Sequence, residues 1–318
     1  MLFTIALILL SCFTYPQPCG CTDVHANNYD KNAVLNDGNC KYDKVYIKPL
    51  KSWQLVNYLH ETSGLIKWDD YLITHNDNDD NHLYALDLKG QIKRIFNLGN
   101  IKNIEWEDIT QDSIYIYIGD FGNNAHGNRK NLRILRLEKK QLFSKFIQID
   151  TISFSYSNQN DFSPQQANTT NFDCEAFIAT ADSLYLFTKQ WELQKTSIYA
   201  LPKTPGNYIA QYKSTWDIKG LVTGATYVAE KQMVALCGYS KKLQPFIYLL
   251  YDFKNNDFFS GNKRKFNISS RFHQIEGIAT SDGYTYYLTN ERFIKNPVIY
   301  VYQQLHYVDL NPYFRGIE

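Results

Sequence analysis

The sequence has no surplus of charge in either direction. Lys and Arg total 33 and Asp and Glu 32, leaving a formal net charge of +1 over 318 residues. A nucleic-acid partner needs a basic face to neutralise phosphates, so that class is excluded. The one local basic run, Lys263-Arg264-Lys265, reads as part of a solvated outer strand. Beyond the first ten residues no segment approaches the roughly 20 apolar residues of a membrane-spanning helix. Amphipathic helical periodicity is also missing from about residue 44 to the end, and so are several catalytic signatures. There is no Gly-x-Ser-x-Gly elbow, no His-Glu-x-x-His and no phosphate-binding Gly-rich loop. Cysteine is scarce, six in all, and none has the paired spacing of a zinc or redox site.

What is abundant points to strands. Aromatic residues make up 15% of the chain, with 25 Tyr among them, and aromatics fit pleated, half-buried surfaces. The length suits one large all-β domain. Turn formers punctuate the strand signals at Lys89-Gly90, Asn123-Asn124, Pro205-Gly206-Asn207, Asn255-Asn256 and Asp282-Gly283.

The apolar start, Met1 to Leu10, has the length of a signal-peptide core without the usual basic residues before it. Residues 1–17 are therefore expected to be an export signal. Leu9-Leu10-Ser11-Cys12 resembles a bacterial lipobox, which would leave a lipid on Cys12; the alternative is a plain signal with Cys12 discarded. Either implies an exported chain, in the periplasm or at the outer membrane and cell surface. The only membrane contact expected is that lipid. Cys21 and Cys40 flank one small motif and form the best disulfide pair in an oxidising compartment. Residues 18–43 would be a stapled spacer, too small to own a core. Its Cys21-Thr-Asp23…Asn28-Tyr29…Asp37-Gly-Asn-Cys40 resembles a short Gly-Cys-Thr-Asp…Asp-Asp-Gly-Ser-Cys repeat of exported Bacteroidetes proteins. Asp23, Asp30 and Asp37 are read as solvated turn carboxylates rather than calcium ligands.

From residue 44 to 318 a phrase repeats five times: Thr62-Ser63-Gly64-Leu65, Trp106-Glu107-Asp108-Ile109, Cys174-Glu175-Ala176-Phe177, Val222-Thr223-Gly224-Ala225 and Ile275-Glu276-Gly277-Ile278. Successive copies are 44, 68, 48 and 53 residues apart. With the polar loop from Asn158 to Thr170 allowed for, that is the spacing of four-stranded blades, roughly 40–50 residues each. The expectation is an all-β, single β-propeller of five blades, or six if residues 140–170 hide a degenerate one. Each phrase would open an innermost strand. Residues 45–55 would form one strand that closes the ring on the last blade. Third strands are expected at His82–Leu86, Leu132–Leu137, Phe246–Tyr251 and Val298–Tyr302.

Several phrases resemble a largely uncharacterised family of exported bacterial propellers. They are Glu61-Thr-Ser-Gly-Leu65, Thr74-His-Asn-Asp77, Trp106-Glu-Asp-Ile109, Ile118-Gly-Asp-Phe-Gly-Asn-Asn124 and Asp173-Cys-Glu-Ala-Phe177. A more distant resemblance runs to phytase-related esterase-like and gluconolactonase- or strictosidine-synthase-type propellers.

A propeller gathers the loops entering its inner strands and those between second and third strands on one face. The first loop set would bring to that face Glu61, Glu105, Glu107, Asp108, Asp173, Glu175 and Glu276, and the second His75, Asn76, Asp77, Asp120, Asn123, Asn124, Arg129, Lys189, Asn290, Glu291 and Arg292. Three uses compete. Glu107, Glu175 and Glu276 would hold Ca²⁺, since an all-oxygen set suits a hard cation, and with His75 as general base the site would hydrolyse an ester or lactone. Alternatively the face binds a small molecule, glycan or protein without reacting, through Asn76, Asp77, Asp120, Asn124, Arg129, Lys189 and Arg292. In the third use the carboxylates are structural, each consumed by an Arg or a backbone N–H. Non-catalytic binding by a monomer is favoured, because Ser63 and Thr223 interrupt the Glu repeat and leave an asymmetric, three-sided acidic mouth.

Overall fold

A computed structural model describes residues 17–77 and 79–314. The expected signal and the possible lipid site at Cys12 lie outside the described residues. Each repeated phrase does open a strand: Thr62–Trp68, Trp106–Gln111, Cys174–Ala179, Leu221–Val228 and Ile275–Ala279. From each, an antiparallel meander runs outward. The first passes through Tyr71–Asn76, His82–Leu86 and Ile92–Asn97, and the third through Ser183–Thr188, Thr196–Pro202 and Gly206–Trp216. The inner strands pack side by side in chain order, and Ile275–Ala279 returns to pack on Thr62–Trp68. Sheets radiating from a closed ring of inner strands are a β-propeller.

The cores lie between neighbouring sheets. Ile73 and Leu83 pack against Trp106 and Ile118; Ile134 and Phe154 against Phe177 and Leu186. Phe187 meets Leu236 and Phe246, Ile247 meets Ile278 and Leu288, and Leu305 meets Leu65 and Leu72. Middle strands are therefore apolar on both faces, as Tyr115–Asp120 and Met233–Tyr239 show. At roughly 25 cal/mol per Å² of apolar surface buried, these five interfaces carry most of the favourable folding term.

Three expectations are corrected. Residues 45–55 are not one strand. Val45–Ile47 pairs parallel to Asn262–Ile268, whereas Lys51–Gln54 pairs antiparallel to Gln304–Asp309 and supplies the outer strand of the last sheet. Pro49 separates them, since it has no N–H to continue a ladder. The third strand of that last sheet is Gln304–Asp309. Val298–Tyr302 falls instead in a small hairpin of Phe293–Lys295 with Ile299–Val301, whose Val298 is 81% exposed. Finally, Lys263-Arg264-Lys265 is not a solvated run. Arg264 is buried against the rings of Tyr42, Phe266 and Phe314, and its guanidinium donates to Tyr313 O at 2.9 Å.

The small N-terminal motif is closed by the Cys21–Cys40 disulfide. It is fastened to the fourth sheet. Asn36 Nδ2 donates to Asp252 Oδ2 (2.6 Å) and Asn262 Oδ1 (2.9 Å), and Tyr251 OH donates to Asp23 Oδ2 (2.6 Å). Asp30 and Asp37 accept from the backbone N–H of Asn32 and Asn39, as turn carboxylates do.

Candidate metal centre at the mouth of the ring

In four of the five copies the repeated phrase has a common backbone cause, a β-bulge at the same point of the inner strand; in the first copy Ser63 still pairs with His75 and the irregularity follows it. Gly119 pairs with Asp108 and Asp120 with Trp106, so Glu107 has no residue opposite it. Glu175, Thr223 and Glu276 are skipped in the same way. A bulge turns its unpaired residue out of the alternation and re-aims the side chain. Here it turns the Glu residues to the mouth. Ser63 and Thr223, in the two copies without Glu, donate instead to the Glu107 and Ile275 carbonyls of the next inner strand and tie neighbouring sheets together.

The next position is small in four copies, Gly64, Ala176, Gly224 and Gly277, because the inner strands nearly touch there. A Cβ on Gly64 would lie 2.9 Å from Asp108 Cα, and one on Gly277 2.9 Å from Leu65 Cβ. The exception is Asp108. Its side chain accepts backbone N–H bonds from Ile109 (2.8 Å), Phe177 (3.1 Å) and Ala225 (3.2 Å), and so bridges three inner strands at the axis. Burial still raises its pKa well above the carboxylate range.

Above this bridge lies the acidic cluster. Glu107, Asp173 and Glu175 are buried, and each offers a carboxylate oxygen within 4.8 Å of the other two. Asp77 and Glu105 form a second such group with Glu107, which is common to both. Asp173 is held by Asn123 N (2.6 Å) and Trp191 Nε1 (2.7 Å). Glu175 pairs with Lys189 Nζ at 3.1 Å. Among the described residues Glu107 Oε1 is buried with no hydrogen-bond partner, as is Asp77 Oδ1. Burial, then the charge of Glu175, raises Glu107 and Asp173 well above the usual range. Burial, then Glu105, pushes Asp77 up to about 8. Glu291 is pushed up to about 7, mainly by burial. Burial opposes the charge on Lys189, but Glu175 and its neighbours outweigh it and raise its pKa. This ammonium also sits 4.4 Å from the centre of the Trp191 ring. Beside it, Trp191, Tyr239, Leu221 and Asn168 line a pocket of about 380 Å³.

The sequence-predicted residues thus divide. Glu107, Glu175, Asp77 and Lys189 converge. Glu276 is buried and within electrostatic reach of Lys189 and Glu175, but it belongs to neither tight group; Asp173 takes the place expected of it. Asp120 is consumed by Arg129 (2.9 Å) and Arg133 (2.8 Å). Asn76 holds Tyr58 O and Asp80 Oδ2, the Asn124 carbonyl accepts from Asn168 N, and Arg292 is exposed. His75 is corrected as a general base. Its ring has no exposed surface and packs edge-on against Trp106, and burial lowers its pKa to about 4. Asp173 and Glu105 were placed on this face but not among its ligands. The signal was there: each stands two residues before a bulged Glu.

No protein-family model and no curated protein matches the chain. Among solved structures it is similar to the PQQ-bound aldose sugar dehydrogenase of Streptomyces coelicolor. Identity is 10% and the TM-score 0.49, over 83% of this chain and 97% of that one. It is also similar to a streptogramin B lyase (11%, TM-score 0.37, 76% and 65%) and to a chain of the mitotic checkpoint complex (9%, TM-score 0.41, 86% and 98%). At such identities and scores the likeness carries nothing about ligand or reaction.

Proposed function

We propose that this chain is a single five-bladed propeller that binds Ca²⁺ at the mouth of its ring and uses the cation to hold a ligand there without chemical turnover. Glu107, Asp173 and Glu175 are the proposed ligands, with Asp77 and Glu105 adjoining. The observation that carries this reading is the buried Oε1 of Glu107, which among the described residues has no hydrogen-bond partner and is placed among carboxylates with Lys189 as their one close cation. Buried like charges must be protonated, paired or metal-bound, and an all-oxygen set favours a hard cation. The Trp191 and Tyr239 pocket adjoins the cluster, and its aromatic and amide groups suit a small molecule or glycan. The apolar N-terminus and the disulfide support an exported protein, and the Glu61–Leu65 and Ile118–Asn124 phrases support a place among exported bacterial propellers.

The test is metal analysis after dialysis, with calcium titration followed by calorimetry. One Ca²⁺ per chain is expected, and Glu107→Gln and Glu175→Gln should fold but take up none. A folded wild-type protein that takes up no Ca²⁺ would sink the proposal.

A further inference from the structure

Lys263 and Lys265 of the basic run line a second, larger cavity, which shares Ser240 with the pocket beside the mouth. It has a volume of about 1090 Å³ and lies where the stapled motif meets the outer strands of the third and fourth sheets. Its walls carry Lys44, Lys219, Lys242, Lys263, Lys265 and Arg271, against only Asp43 and Asp217. Among the described residues none of these cations is in an ion pair.

The cations differ in what they have left to give. Lys263 Nζ donates to Gly38 O, Phe259 O and Gly261 O at 2.7–2.9 Å, which uses all three of its hydrogens. It cements the stapled motif to the sheet. Lys265 Nζ donates to Ile218 O (2.9 Å) and Lys219 O (3.0 Å) and lies 3.9 Å over the Phe246 ring, so two of its three hydrogens are taken by carbonyls. Burial, opposed by Asp217, lowers its pKa to about 8, and the charges of Lys219 and Lys44 add to the lowering. An anion would relieve that repulsion. Lys44, Lys219, Lys242 and Arg271 are exposed around it.

Aromatic rings stand among these charges. Trp216 is fixed by its Nε1 bond to Tyr248 OH at 2.8 Å, and Tyr46 is 51% exposed beneath the Lys44 ammonium, 5.0 Å from its ring centre. Cations select an anion, and flat apolar rings present a platform for the C–H face of a sugar. A nucleic-acid strand would need a basic stripe continuing beyond one cavity, whereas the cations gathered here all stand in its walls. We propose that this cavity binds acidic saccharides, carrying uronate carboxylates or sulfate esters, and that the stapled motif is there to complete its wall.

The experiment is calorimetry on the full chain with three probes: an oligogalacturonate, a sulfated oligosaccharide and a neutral dextran oligosaccharide. At least one acidic probe should bind, more weakly as salt is raised, and the neutral probe should not. The two acidic arms tell which anion is preferred. The Lys242→Glu/Arg271→Glu double variant changes exposed side chains only, and should bind about tenfold or more weakly, the scale of losing charge-assisted contacts. Tyr46→Ala should weaken binding without altering its salt dependence. With calcium chelated the acidic probe should still bind and the double variant should still weaken it, so failure of the calcium proposal leaves this one standing. Equal binding of the neutral probe would overturn it. So would an unaffected double variant, or no binding of either acidic probe by folded protein.

Discussion

Two buried acidic sites in this molecule meet on the paired strands Trp106–Gln111 and Tyr115–Asp120 and are treated oppositely. Asp120, at the end of its strand, faces Arg129 and Arg133, two cations for one carboxylate. Glu107, Asp173 and Glu175 face Lys189, one cation for three. Within the second group the satisfaction is graded. Asp173 has a donor on each oxygen, Glu175 has the ammonium, and Glu107 Oε1 has nothing. A buried carboxylate whose oxygens are consumed is holding the fold. One left bare beside two others is set up to receive something else, because the fold alone gives no reason to keep it charged.

The largest effect should separate the two sites by stability. Asp120→Ala strands Arg129 and Arg133 beside an empty place, and losing one partner of a buried pair costs about 3–5 kcal/mol. In metal-free buffer Glu107→Gln should cost far less or stabilise, since it removes a charge that burial and Glu175 already disfavour. Chemical denaturation of both variants checks this. Equal losses would put Glu107 in the structural class.

Calcium should sharpen the contrast next. A ligand that binds only the folded state, at a hundredfold excess over its Kd, stabilises by about 2.7 kcal/mol. Wild type and Asp120→Asn, if folded, should show that gain on calcium addition, while Asp173→Asn and Glu175→Gln should not. Lys189→Met should lower metal-free stability by freeing Glu175, and it should tighten calcium binding by removing a competing cation. A Lys189→Met protein with weaker calcium binding would mean that the ammonium positions the cluster rather than competing for it.

A smaller effect should appear with pH. Asp77 is pushed up to about 8 and Glu291 to about 7, each first by burial. A carboxyl with a raised folded pKa stabilises the fold while protonated. That contribution is complete below its unfolded value near pH 4, and it is lost as pH rises through about 7 to 8. His75 and His306, lowered to about 4 and about 3 by burial, act the other way, but only below about pH 6.5. Metal-free protein should therefore melt lower at pH about 8.5 than at 6.5, and saturating calcium should flatten the difference. A metal-free melting temperature that does not move across this range would mean the cluster is not carrying buried charge.

The same contrast governs what could be read from sequence. The blades were legible because two constraints each recur in four of the five copies: a bulged residue, and after that position a small one where inner strands nearly touch. Asp108 broke the small-residue rule visibly, yet its job as a three-strand bridge depends on N–H groups from Phe177 and Ala225, distant in sequence. The acidic mouth was legible as a set but not as a geometry. Which Glu joins Asp173, and which stands apart as Glu276 does, depends on how adjacent sheets rotate about the axis. His75 and Arg264 were misread for a related reason. A polar residue in a strand shows its type but not whether a ring such as Trp106 or Phe314 will cover it.

The finest break in the comparison is one methyl group. Gly122 lies against the cluster, and a Cβ there would fall 1.8 Å from Glu107 Oε1 and 2.8 Å from its Cδ. Glu105 Cβ would also lie 2.9 Å away, so Gly122→Ala should turn the Glu107 carboxylate aside and press on the Glu105 segment as well. The Asp120 site should not notice, although Arg129 Nη1 donates to the Gly122 carbonyl at 2.7 Å, because that bond runs to backbone the methyl does not displace. Stability without metal should fall by about 1–3 kcal/mol, the scale of overpacking, while calcium affinity measured on the folded variant falls about tenfold, a loss of about 1.4 kcal/mol. Calorimetry on this one variant therefore asks whether the bare oxygen is placed or merely left over. Unchanged affinity would mean that Glu107 Oε1 is not a ligand, and the cation would then have to sit with Asp173 and Glu175 alone.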